Sequence, residues 1–121
     1  MIHIIKENFK RALIAKIFSI ITIGTLSFLS FKTQYGLFLV GSFGASMVLV
    51  FGYPESPFSQ PKNVFFGHFI TSLVGVLALN FFPMEQHYLF LQISVAVGLG
   101  IFVMILLGVT HPPAGGNQIF I

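Results

Sequence analysis

The sequence predicts an all-α fold, a polytopic membrane helix bundle of about four transmembrane helices, and three observations carry that prediction. Charged residues make up 7% of the 121-residue chain and hydrophobic residues 55%, whereas a soluble domain carries roughly 25% charged residues. With 6 basic and 3 acidic side chains the chain cannot clothe a folded sphere in water, so most of its surface faces lipid. Finally, the apolar residues fall into four runs of the length a helix needs to cross a bilayer core, about 20 residues, with polar punctuation between them.

The first run covers about residues 12–31. Lys16 lies near its start, where the aliphatic stem can sit among acyl chains while the ammonium reaches the headgroups. Its basic flank resembles a signal-peptide n-region. Lys16 interrupts the apolar stretch, however, and no small-x-small cleavage site follows, so the run is read as a retained helix. The second run, about 35–53, and the fourth, about 88–109, carry no charge; the third, about 63–82, holds one titratable group, His68. Together they make one transmembrane domain spanning residues 1–121. Lys32-Thr33-Gln34 and Pro83 to His87 form short connections, whereas Pro54, Pro57 and Pro61 forbid a continuous helix through the second one.

Basic residues set the expected orientation. Lys6, Lys10, Arg11, Lys16 and Lys62 fall on one side of the bundle and Lys32 on the other, which places the N-terminus in the cytoplasm of a bacterial plasma membrane. The basic residues cluster ahead of an apolar run and form no stripe, so nucleic acid is not an expected partner; the lipid bilayer is. With 0 Cys there is no disulfide framework and no thiolate metal site.

Small residues let helices approach closely in lipid. Gly41 and Ala45 in the second span, Gly67, Thr71 and Gly75 in the third, and Ala96, Gly100 and Gly108 in the fourth are read as helix-packing stripes, with a path-lining role as the alternative.

Two polar, proline-punctuated segments stand against this apolar background. The first carries Glu55, Ser56, Gln60 and Asn63 and leads one turn later to His68; the second is Thr110, His111, Pro112, Pro113, Ala114, Gly115, Gly116 and Asn117. The topology puts both at the cytoplasmic end. Non-helical backbone at that depth is tolerated only inside protein or along a wet cavity, so these residues are expected to line a solute pathway. No Asp or Glu lies within a span, which disfavours a cation-coupled site and suits an anionic or neutral solute. Thr110 or His111 is expected to cap a half-helix begun by Pro112, whose free N–H groups would attract an anion. Alternatively, Gly115 and Gly116 would curl into an N–H nest. His68 and His111 are candidate donors to the solute; the plainer readings are a packing histidine for His68 and a cap for His111. Two histidines alone lack the ligands for a metal, and no cofactor is expected. Glu55 and Lys62 either pair across the second loop or, the preferred reading, Lys62 is only a topology anchor.

The run Thr110-His111-Pro112-Pro113-Ala114-Gly115 resembles the name-giving motif of the HPP family of small integral membrane proteins. Pro54-Glu55-Ser56-Pro57 and Gln60-Pro61, followed by Asn63, Gly67 and His68, resemble that family's second signature. The resemblance implies a four-to-five-helix transporter, with nitrite as the solute of plant and cyanobacterial relatives. Members usually continue past this motif into another apolar helix, so a chain stopping at Ile121 is expected to be truncated or split. Four helices enclose little space, and a homo-oligomer is expected to complete a pathway. The expected function is therefore a transporter or channel-like protein for a small solute, an anion such as nitrite. A non-transporting interaction subunit, or an inactive truncated member, is the alternative. No nucleophile elbow, phosphate loop or metal-ligand pattern points to an enzyme.

Overall fold

The computed structural model describes residues 1–32, 41–82 and 85–119. Helix α1 runs from Ile2 to Lys32 without a proline to break it. At 1.5 Å per residue its 31 residues span about 46 Å, more than a bilayer core of about 30 Å. The apolar part alone was expected to be helical from about residue 12; the helix begins ten residues earlier because nothing in the charged N-terminal turns opposes it. Helix α2, Gly41–Met47, widens directly into a π-helix, Val48–Gly52. The part of the second predicted span before Gly41 lies outside the described residues. Helix α3 covers Pro61–Phe81, with the proline in its first turn where no intrahelical donor is needed. A 3₁₀ turn at Gln86–Tyr88 leads into α4, Leu89–Leu106. By length and composition α1, α3 and the Gln86–Leu106 stretch are long and apolar enough to cross a membrane, and Gly41–Gly52 is a shorter apolar helix. The protein is thus an all-α membrane bundle.

Helix α4 ends in a Schellman motif. Gly108 adopts φ +67°, its N–H donates to Ile105 O at 3.1 Å, and the Val109 N–H donates to Met104 O at 3.0 Å. Val109 and Met104 also pack together in the apolar core with Ile70 and Ala114. The reversal sends the chain back into the bundle as a final 3₁₀-helix, Pro112–Ile119, packed among α2, α3 and α4.

The burial pattern is inverted relative to a soluble protein. Phe31 is 80% exposed and Phe65 and Phe90 65% each, while Ser42, Ser46, Ser59, Asn63, Thr71, His111 and Asn117 are buried. In lipid this is the favourable arrangement, because a phenyl ring loses nothing to hydrocarbon and a hydroxyl or imidazole must find its partners inside.

Most of the small residues of α3 and α4 face inward: Gly67, Thr71 and Gly75 on α3 and Ala96 and Gly100 on α4 are buried. Two expectations need correction. Gly41 and Ala45 are exposed, and α2 turns Ser42 and Ser46 inward instead. One residue is about 100° of helix, enough to exchange the faces. Gly108 is also exposed, and a Cβ there would meet nothing within 4 Å; its role is the left-handed turn that stops α4.

Candidate functional site: a polar seam through the bundle

The proline-rich connection builds one wall of the site. Ser56 caps a 3₁₀ turn, Pro57–Ser59, by accepting from the Phe58 N–H at 3.2 Å. Gln60 Nε2 donates to the carbonyls of Pro54 at 3.3 Å and Ser56 at 3.1 Å, which tightens the loop. Ser59 donates to Leu49 O at 2.9 Å, a carbonyl of the π-helical segment. The turn thereby aims the Phe58 carbonyl at the bundle, where His111 Nδ1 meets it at 2.8 Å. Asn63 on α3 donates to Thr110 O at 2.8 Å and ties down the residue before the histidine.

His111 is fully buried because Gly67 leaves room for it. A Cβ on Gly67 would stand 2.8 Å from His111 Cβ and 3.4 Å from Val109 O. From there a single chain of hydrogen bonds runs inward. His111 Nε2 lies 2.8 Å from Ser46 Oγ, which lies 2.9 Å from His68 Nε2. Asn117 Nδ2 is 2.9 Å from His68 Nδ1, and Ser42 Oγ donates to Asn117 Oδ1 at 2.6 Å. Asn117 Nδ2 also donates to Thr71 Oγ1 at 2.9 Å. Thr71 is midway along the 21-residue α3, so the seam reaches the middle of that apolar helix.

One set of directions satisfies the whole chain when both rings are neutral. A carbonyl only accepts, so His111 carries its hydrogen on Nδ1 and presents a bare Nε2 when neutral. Ser46 has one hydrogen, within reach of that nitrogen and of Ser42 O at 3.1 Å; given to the bare nitrogen, it leaves Ser46 Oγ to accept from His68 Nε2. His68 Nδ1 is then an acceptor and takes its hydrogen from Asn117 Nδ2. The amide is oriented independently, since the same Nδ2 lies 3.2 Å from the acceptor-only His68 carbonyl. The two imidazoles stand edge to face with centroids 5.1 Å apart, and Phe43 covers His68 in the same manner at 5.1 Å.

Of the residues expected to line a pathway, His68, Asn63, Thr110, His111 and Asn117 come together here. Pro112 and Pro113 shape the return into the bundle, Pro112 exposed and Pro113 half-buried. Glu55, Ser56 and Gln60 stay in the outer loop and contribute only through the turn they hold. Glu55 does not pair with Lys62: it accepts from Arg11 of α1 at 2.7 Å, while the Arg11 guanidinium lies 5.9 Å over the Tyr53 ring. Its carboxyl is held below the ordinary 4.5 by a hydrogen bond from its own backbone N–H and then by Arg11.

The helical turn expected from Pro112 forms, but neither expected anion cradle does. Pro112 and Pro113 have no N–H, and the next donor, Ala114 N–H, is used on His111 O at 3.0 Å. Gly115 and Gly116 lie within the 3₁₀-helix, and Gly108 is the only glycine with positive φ among the described residues, so they make no nest. Among the described residues no three His, Asp or Glu are grouped to hold a metal.

Ser42 and Ser46 are functional candidates that composition and motif reading passed over. A signal exists: they are the only hydroxyls of Gly41–Gly52 and stand one helical turn apart.

Residues 5–121 match the HPP transmembrane region. Two transmembrane proteins of Dictyostelium discoideum are similar, one 36% identical over 81 residues, which is 67% of this chain and 28% of the relative. The other is 36% identical over 83 residues, 69% of this chain and 27% of its own length. The chain thus spans less than a third of the curated relatives it matches. No solved structure matches it.

Proposed function

This chain belongs to the family of the HPP transmembrane region, and from that premise we propose that it moves a small solute across the membrane, an anion such as nitrite. The observation that carries the reading is the seam itself: His111, Ser46, His68 and Asn117 bonded in series from the Phe58 carbonyl to the middle of α3, a helix long and apolar enough to cross the membrane. Polar groups at that depth are costly in lipid and mark solute paths more often than scaffolding. The solute class follows from what the seam holds: imidazoles, hydroxyls and an amide, with no carboxylate to attract a cation. The bonded arrangement is the closed form, and entry of the solute exchanges bonds within the seam for bonds to the solute. The excess of basic residues at Lys6, Lys10, Arg11, Lys16 and Lys62 supports a cytoplasmic N-terminus, and the Arg11–Glu55 contact joins the proline-rich loop to that same end of α1. Copies of the chain assemble to complete the path.

Reconstitution into liposomes tests this reading. With the protein in the membrane, nitrite enters faster than into empty vesicles at alkaline pH, where nitrite stays ionised, and His111→Ala slows entry at least tenfold. Uptake equal to that of empty vesicles, with wild type and His111→Ala alike, sinks the proposal.

A further inference from the structure

Ser46 is bonded to more partners than one hydroxyl hydrogen can serve, and the surplus has a use. Its Oγ lies 2.8 Å from His111 Nε2, 2.9 Å from His68 Nε2 and 3.1 Å from Ser42 O. With both imidazoles neutral, Ser46 donates to His111 and accepts from His68. If His111 takes a proton on Nε2, Ser46 rotates its hydrogen to Ser42 O and accepts from both rings. Every hydrogen bond is then still made and no heavy atom has moved. A proton on His68 Nδ1 finds a poorer outlet, because that nitrogen faces an Asn117 N–H at 2.9 Å and reaches Asn117 Oδ1 only at 3.3 Å, an oxygen that already accepts from Ser42 Oγ at 2.6 Å.

We propose that His111, Ser46 and His68 form a site for one exchangeable proton, housed on His111, and that this proton is the counter-charge with which an anion crosses. The second clause rests on the transport reading above. Among the described residues the one titratable group facing His111 is His68. Helix α2 brings Ser46, α3 brings Gly67 with Met104 Sδ and Val109 O close beside it, and the loop before α3 brings the Phe58 carbonyl. Lys62 is exposed at the start of α3, and Glu55 is held by Arg11. An imidazolium with no exposed surface and no carboxylate beside it is strongly disfavoured unless an anion joins it. By linkage, an anion that joins it draws the proton in.

Nitrogen-15 NMR of histidine-labelled protein in nanodiscs reads both parts. Above the transition, His111 shows the Nδ1–H tautomer and His68 the Nε2–H tautomer. On acidification His111 alone becomes imidazolium while His68 keeps its tautomer, and sodium nitrite in place of chloride raises the protonated fraction of His111 at fixed pH. Ser46→Ala lowers that fraction at least tenfold, and Ser46→Thr, which keeps the hydroxyl, restores it. First protonation of His68, the reversed tautomers, or equal titration of both rings in wild type overturns the site. An unchanged His111 fraction on adding nitrite overturns the coupling. In liposomes, coupled nitrite uptake is indifferent to an imposed membrane potential. Uptake that follows the potential defeats coupling and leaves transport standing, whereas no uptake defeats the transport reading and leaves the proton site to be judged by NMR.

Discussion

The two halves of α3 have the same backbone geometry and opposite surroundings. From Asn63 to Ser72 the inward face carries an amide, a glycine, an imidazole and hydroxyls, each engaged by the Pro112–Ile119 segment, the chain entering it, or α2. From Val74 to Phe82 it borders an open groove of about 550 Å³ shared with α4, lined by Leu77, Phe81, Leu91, Val95 and Leu99. In water the apolar half would hold the fold together. In lipid it exchanges one hydrocarbon contact for another, and position is fixed by the bonds and close approaches of the polar half. The difference teaches that in this bundle specificity and stability are carried by the same few polar atoms.

Asn117→Leu breaks that half most severely. It keeps the branching at Cγ, with bulkier methyl groups, but removes the donor to His68 Nδ1 and the acceptor of Ser42. Leaving a buried polar group unsatisfied costs about 1–3 kcal/mol each, so unfolding by denaturing detergent should shift by the largest amount of any single change considered. A variant as stable as wild type would mean that the return segment is held by something other than the seam.

Gly67→Ala comes next. Its new Cβ would stand 2.8 Å from His111 Cβ, and relief requires the return segment to retreat from α3. Overpacking of this kind costs about 1–3 kcal/mol. Gly98→Ala in α4 is the control, since nothing lies within 4 Å of the added Cβ, and it should stabilise the helix by up to about 1 kcal/mol. Equal effects of the two substitutions would remove the distinction drawn between the faces.

How much of this was legible beforehand follows the same division. Helix identity was written in long apolar runs, because hydrocarbon permits few ways to satisfy a backbone. The meeting of the two proline-punctuated segments was legible too, since even crossings return both to one end. The inward face of α2 was not. Gly41 and Ala45 obey the small-residue rule as well as Ser42 and Ser46 do, and only the imidazoles across the interface decide the rotation. The partner of Glu55 was equally hidden, because Arg11 lies 44 residues away in sequence and on another helix. The N–H cradle expected after His111 failed for a local reason, two successive prolines without donors, and that reason was visible in the motif itself.

A pair of truncations on α4 sharpens the contrast between a packed position and a lipid-facing one. Met104 is 2% exposed and packs against Ile70 and Ala114, while Leu99 is 48% exposed on the groove. Met104→Ala opens a cavity that lipid cannot reach and should cost about 2–5 kcal/mol. Leu99→Ala enlarges a groove that is open to acyl chains, so its cost should stay below about 1 kcal/mol. The measurement is the midpoint of the same denaturing-detergent titration, and a Leu99→Ala loss as large as that of Met104→Ala would show the groove to be packed rather than lipid-filled.

The smallest expected effect separates burial from mere polarity. Arg11 and Glu55 meet at 2.7 Å, as short as any bond in the seam but one, yet their side chains are 49% and 59% exposed. Solvent and salt screen such a pair, and exposed ion pairs contribute little. The sign of its pH dependence is fixed: the carboxyl is held below 4.5 in the folded chain by its own backbone N–H and by Arg11. Its contribution is therefore complete above 4.5 and fades as pH falls through the lowered folded value, where protonation removes the charge. The stability difference between wild type and Glu55→Gln should be small at neutral pH, shrink on acidification below 4.5, and shrink again in high salt. A difference that rivals Asn117→Leu, or that grows on acidification, would show that position at this end of the bundle matters more than burial. Removal of a bond of nearly the same length from the seam is expected to do what removal of this one does not, because only there is no water waiting to take its place.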